Sequence, residues 1–176
     1  MSDIISFTPK LGCTAQEALA DFITKCKTEL TVFGPELNFD DDLWDVTDAL
    51  ARKGMGNKRE RIRYSTLASA KTKSPESMHP DFKDFAKSYI RYLHGLRPSQ
   101  SIGHRLGAMR TIEAAMVELG FLPPQPSEIN ADILNKAIQI ACSHFKSQAL
   151  AHRIGGQFEQ IIKFMNSNRL LTSPVY

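Results

Sequence analysis

The stretch DFKDFAKSYIRYLHGL, residues 81–96, decides the fold. Phe82, Phe85, Ala86, Tyr89, Ile90 and Leu93 recur at i, i+3, i+4 and i+7 spacing, which is one face of an α-helix. Arg97-Pro98 stops this helix, because proline lacks an amide hydrogen and biases the residue before it away from helix. Ser99 or Ser101 starts a second helix, with Ile102, Leu106, Met109, Ile112, Met116 and Leu119 as its buried stripe and Gly120 as its end. Pro123-Pro124-Gln125-Pro126 forms a rigid connector. Asn130 then caps a third helix, with Ile133, Leu134, Ala137, Ile138, Ala141 and Phe145 apolar. A fourth begins near Ser147 and turns Leu150, Ile154, Phe158, Ile161, Ile162 and Met165 inward. No segment alternates with period two for long enough to predict a strand, so the expected fold class is all-α.

Upstream, Thr14 and Glu17 have capping-box spacing and predict a helix to about Lys27–Leu30, with Ala18, Phe22 and Cys26 as its stripe. Gly34-Pro35 ends that region. A short helix is expected over Asp41 to Lys53, with Leu43, Val46 and Leu50 inward and acidic residues at its N-terminal end. Trp44 reads as a core or interface anchor. Gly54-Met55-Gly56-Asn57 breaks this helix, and the polar, proline-punctuated residues 65–78 read as a linker. The expected organisation is therefore a small helical N-terminal region over 1–78 and a four-helix unit over 79–176.

Composition narrows the function classes. The chain has 176 residues, 42% apolar and 23% charged, enough for a packed core and with no run near the roughly 20 apolar residues of a membrane span. The start lacks a basic region ahead of an apolar run, so no secretory signal is expected. Cys13, Cys26 and Cys142 are odd in number and lack C-x-x-C spacing, which fits a reducing compartment and a cytoplasmic location. Residues 1–78 carry 11 basic and 12 acidic residues, whereas residues 79–176 carry 11 and 7. Within the first part, the acidic block Glu36, Asp40, Asp41, Asp42, Asp45 and Asp48 precedes the basic cluster Arg52, Lys53, Lys58, Arg59, Arg61 and Arg63. Such a cluster attracts polyanions, but a solvated surface or a dimer contact to the acidic block gives the same pattern.

No complete catalytic constellation is legible. His94-Gly95-Leu96-Arg97 has H-x-x-R spacing, and Tyr176 lies downstream, but the motif straddles a helix end and reads as coincidence. No nucleophile has a legible His/Asp arrangement, no glycine-rich loop follows a strand, and H-E-x-x-H does not occur. Cys142 and His144 point about 200° apart on a helix and cannot jointly grip a metal, so the thiol reads as buried and the imidazole as surface. No metal, cofactor or small-molecule substrate is expected.

Recognition residues are easier to find. On the helix from Ser101, His104, Gly107, Ala108 and Thr111 lie opposite Ile102 and Met109, flanked by Arg105 and Arg110, a small and basic-edged exterior. The fourth helix opens Lys146-Ser147-Gln148 and continues through His152-Arg153 to Gly155-Gly156. Each interior glycine costs about 1 kcal/mol relative to alanine, which points to close approach by a neighbouring helix or by DNA.

These elements, in order, resemble the four-helix, SAM-like core-binding domain of the tyrosine recombinase (phage integrase) family over residues 79–174. The matching segments are FKDFAKSYIRYL, PSQSIGHRLGAMRTIEAAMVELGF, NADILNKAIQIACSHF and SQALAHRIGGQFEQIIKFMNSNRLLTSP. In the last, Arg153-Ile154, Gly155-Gly156, Phe158, Phe164, Leu170-Leu171 and Pro174 occupy the family's places, while Glu159 and Gln160 stand where relatives often carry basic residues. The resemblance implies a clamp on duplex DNA, with Ser99, Gln100, Ser101, His104, Arg105, Ser147, Gln148, His152 and Arg153 as candidate contacts, to which the basic flanks of the two helices add Arg110 and Lys146. Lys58, Arg59, Arg61 and Arg63 are candidate accessory contacts. The implied partners are double-stranded DNA and other recombinase subunits. Strand transfer belongs, in the family, to a catalytic half that would begin near Tyr176, so this chain is expected to bind DNA without cutting it. The alternative is a helical protein-interaction or regulatory module that does not bind DNA.

Overall fold

The computed structural model describes residues 6–30, 32–34, 37–50, 59–68, 76–98 and 102–176. Among the described residues five helices carry the fold, α1 (Ala15–Glu29), α2 (Pro80–Leu96), α3 (Ile102–Glu118), α4 (Ala131–His144) and α5 (Gln148–Ser167), so the class is all-α. Two three-residue strands, β1 (Leu43–Asp45) and β2 (Arg61–Arg63), and one 3-10 turn at Pro126–Glu128 are the other elements among the described residues.

Local chemistry sets most boundaries. Thr14 and Glu17 close the expected capping box, with the Thr14 amide donating to Glu17 Oε2 at 2.7 Å and the Glu17 amide to Thr14 Oγ1 at 3.2 Å. Asn130 Oδ1 accepts from the amides of Asp132 and Ile133 at 3.0 and 3.1 Å, starting α4. Ser147 caps α5 through the Leu150 amide at 3.4 Å. Helix α3 ends in a Schellman motif, in which Phe121 N donates to Met116 O and Gly120 N to Val117 O, both at 3.0 Å. Gly120 has φ +89°, a conformation that costs glycine nothing.

The helix expected over Asp41 to Lys53 is not formed by its described residues; β1 stands there, paired antiparallel with β2 in the register Trp44 to Ile62. Burial alternates along both segments. Trp44, Val46, Ile62 and Tyr64 are inside, while Leu43, Asp45, Arg61 and Arg63 face outward. The period is two, and reading Leu43, Val46 and Leu50 as a helical stripe mistook it. Tertiary packing decides the matter, because Trp44 and Tyr64 close over α2. Lys87, fully buried, donates to the Phe39 carbonyl at 2.6 Å inside a cage of Phe39, Trp44 and Tyr64 rings, all 5.4–5.7 Å from its ammonium. One turn on, Arg91 donates to the Leu30 carbonyl.

Helix α2 is thereby buried nearly all round, through Lys87, Ser88, Arg91 and His94 as well as its aromatic stripe. Buried side chains from Phe7 to Leu171 form one apolar cluster, so packing runs across residue 78. Helix α3 is the central element and contacts α2, α4 and α5. Three inward expectations fail at the edges of stripes. Leu119 is 44% exposed, Ile138 is 49% exposed, and the Cys142 side chain is exposed rather than buried. Among the described residues no helix is long and apolar enough to cross a membrane.

Candidate nucleic-acid interface

Helices α3 and α5 touch where Gly107 faces Ile154. A Cβ at Gly107 would lie 2.7 Å from Ile154 Cδ1, the tip of that side chain, so any larger residue would force Ile154 to shift. Gly107, Ala108 and Thr111 are buried, and Thr111 Oγ1 donates to the Gly107 carbonyl at 2.7 Å. The small exterior face expected on α3 is therefore its seam against α5. Its smallness serves helix packing, not an outside partner.

The basic flanks of α3 also turn inward. Arg105 is half-buried, with Nε and Nη1 enclosed and without a hydrogen-bond partner. Burial lowers its guanidinium pKa, and the Tyr89 hydroxyl opposes that shift. Arg110 spans to the end of β2, donating from Nε to the Ser65 carbonyl at 2.9 Å and from Nη2 to the Arg63 carbonyl at 2.5 Å. It is a clamp between α3 and the ribbon. His104 is half-buried. Ser99, Gln100, Ser101 and Lys58 lie outside the described residues. In the H-x-x-R motif, His94 is buried against Phe33 at 4.7 Å between rings, whereas Arg97 is exposed. Burial, then the charge of Arg105, lowers the His94 pKa.

The start of α5 keeps its expected groups at the surface. Lys146, Gln148, His152 and Arg153 are exposed, and Lys146 and Arg153 make no ion pair among the described residues. Ser147 spends one lone pair on its cap and keeps its hydroxyl proton for another acceptor. The first turns of α3 and α5 contain no acidic residue, whereas α1, α2 and α4 carry Glu17, Asp81 and Asp132 there. Neither helix end therefore carries an acidic side chain in its first turn to offset its partial positive charge. Gly107 lies five residues into α3 and Ile154 six into α5. At about 1.5 Å per residue, the two helix starts stand no more than about 25 Å apart whatever the crossing angle. That is less than one turn of duplex DNA, about 34 Å.

Of the accessory cluster, Arg59, Arg61 and Arg63 are exposed. Arg61 and Arg63 line a cleft of about 410 Å³ with Ile102, Gly103 and Arg110, so the ribbon borders the start of α3. Arg61 is paired with Asp45 at 3.5 Å. The acidic block is engaged within the chain, through Asp40 with Lys27 and Asp42 with Lys83, each at 2.6 Å.

A groove of about 1140 Å³ between α4 and α5 was not foreseen. Leu134, Ile138, Phe145, Ala151, Phe158 and Ile162 supply its apolar walls. Gly155 and Gly156 lie along it, and a Cβ at either would meet nothing within 4 Å. Neither glycine serves a crossing within the chain. The sequence signal was the width of the α4 stripe, whose apolar residues cover more than one face. Among the described residues no cluster could hold a metal ion. No protein-family model, no curated protein and no solved structure matches this chain.

Proposed function

We propose that this chain binds duplex DNA as the non-catalytic, clamping part of a site-specific tyrosine recombinase in the cytoplasm, alongside other recombinase subunits. Strand transfer would be carried out by a catalytic domain acting with it. The observation that carries the reading is the pair of acid-free helix starts held together by the Gly107–Ile154 contact. Lys146, Ser147, Gln148, His152 and Arg153 surround the α5 start and would meet phosphates, as hydroxyl, amide and cationic groups do in protein–DNA interfaces. His104, in the first turn of α3, supplies the second point of contact. Arg105 and Arg110 act from within, positioning α3, and β2 offers Arg63 beside it.

Fluorescence anisotropy with a labelled duplex tests this. Lys146→Ala/Arg153→Ala is expected to weaken binding at least tenfold at about 100 mM salt and to flatten the salt dependence by about two in log–log slope. Lys10→Ala, at an exposed site paired with Asp21, should leave affinity unchanged. Equal affinity for the double variant and the parent would remove the α5 start from the interface. The open α4/α5 groove favours a second reading, a protein-interaction module.

A further inference from the structure

We infer that the α4/α5 groove is a homodimer interface, in which α5 of a second copy lies antiparallel across Gly155-Gly156. The walls are apolar, through Leu134, Ile138 and Phe145 of one side and Ala151, Phe158 and Ile162 of the other. The groove is open along its length and has a volume of about 1140 Å³. An open apolar trough between two helices suits a third helix.

The register of α5 selects its own copy as that helix. Gln148, His152, Gly155, Gly156, Glu159 and Lys163 stand at i, i+4, i+7, i+8, i+11 and i+15, one continuous stripe, and all line the groove. The stripe is complementary to itself about the glycine pair. When two copies cross antiparallel there, His152 faces Glu159 of the partner subunit, and Gln148 faces Lys163 of the partner subunit. Glu159 and Lys163 already pair within one copy at 2.5 Å; across the two-fold axis an imidazole N–H would meet that carboxylate and an amide oxygen that ammonium, each contact occurring twice. Such reciprocity is the signature of an isologous interface. The glycines then have a cause. Each costs about 1 kcal/mol in a helix interior, neither has an internal neighbour, and both sit where the two helix backbones would approach most closely. Gln148 and His152 are also candidate DNA contacts, so DNA and the second copy exclude each other along this stripe.

Sedimentation equilibrium of the full chain, without DNA, from about 5 to 200 µM reads the interface directly. The parent should populate a dimer. Gly155→Ala/Gly156→Ala should weaken association at least tenfold while raising the thermal midpoint of the monomer, since the added methyl groups meet no internal atom. His152→Glu should weaken it similarly, and the swap His152→Glu/Glu159→His should restore it. A parent that stays monomeric at 200 µM overturns the inference, as does a dimer indifferent to the glycine and His152 variants. Because no DNA is present, failure of duplex binding leaves this result unaffected.

Discussion

A methyl group at Gly107 would press on Ile154 Cδ1, whereas one at Gly155 or Gly156 would enter open space. The same substitution therefore has opposite expected effects on monomer stability. Gly107→Ala should lower stability by about 1–2 kcal/mol, because overpacking outweighs the gain in helix propensity. Adding Ile154→Val, which deletes the opposing Cδ1, should recover part of that loss. Urea denaturation of the four members of this cycle gives the coupling energy. A second residue-scale prediction concerns acid. The hydrogen bond from Lys83 holds the Asp42 carboxyl below its ordinary value of 3.8, against a smaller opposing effect of burial. A lowered folded-state pKa contributes stability above pH 3.8 that is lost as pH falls through the lowered value. Asp42→Asn should thus be less stable than the parent by up to about 1 kcal/mol at pH 6, and the difference should shrink towards pH 2.

Helix starts were legible element by element, because their signals are local. Thr14, Asn130 and Ser147 cap the helices their spacing implies, and Arg97-Pro98 follows the end of α2. The ribbon was not legible, since three-residue strands show one alternation at most, and the cage around Lys87 that orders Trp44 and Tyr64 is a long-range contact. The start of α2 makes the same point. His79 has no side-chain cap of its own, and the carboxylate comes from α3, with Glu113 Oε1 accepting from the His79 amide at 2.7 Å and facing Nδ1 at 3.1 Å. No spacing rule finds a cap that lies 34 residues away. Glu113→Ala should cost about 2 kcal/mol by removing a buried charged acceptor, and Glu113→Gln, which keeps an acceptor oxygen, should cost less. Thermal denaturation of the two variants checks the order.

Across the whole molecule, the groups expected at the surface are exposed on α5 and drawn inward on α3. Surface charge reads correctly from sequence when no internal partner competes for it, as at Lys146 and Arg153. Arg105 and Arg110 look equivalent to them on a helical wheel, yet burial and the carbonyls of Arg63 and Ser65 claim them. The groove escaped notice because α4 carries more apolar surface than this chain covers. What remains at the surface is a basic patch at the α5 start, and the DNA affinity proposed for it would be an electrostatic quantity. The most direct test is the dependence of duplex affinity on salt between about 50 and 200 mM. A log–log slope near −4 is expected, as several phosphate contacts release counterions, with affinity falling more than a hundredfold across that range. A slope near zero, or no duplex binding at 50 mM, would contradict it.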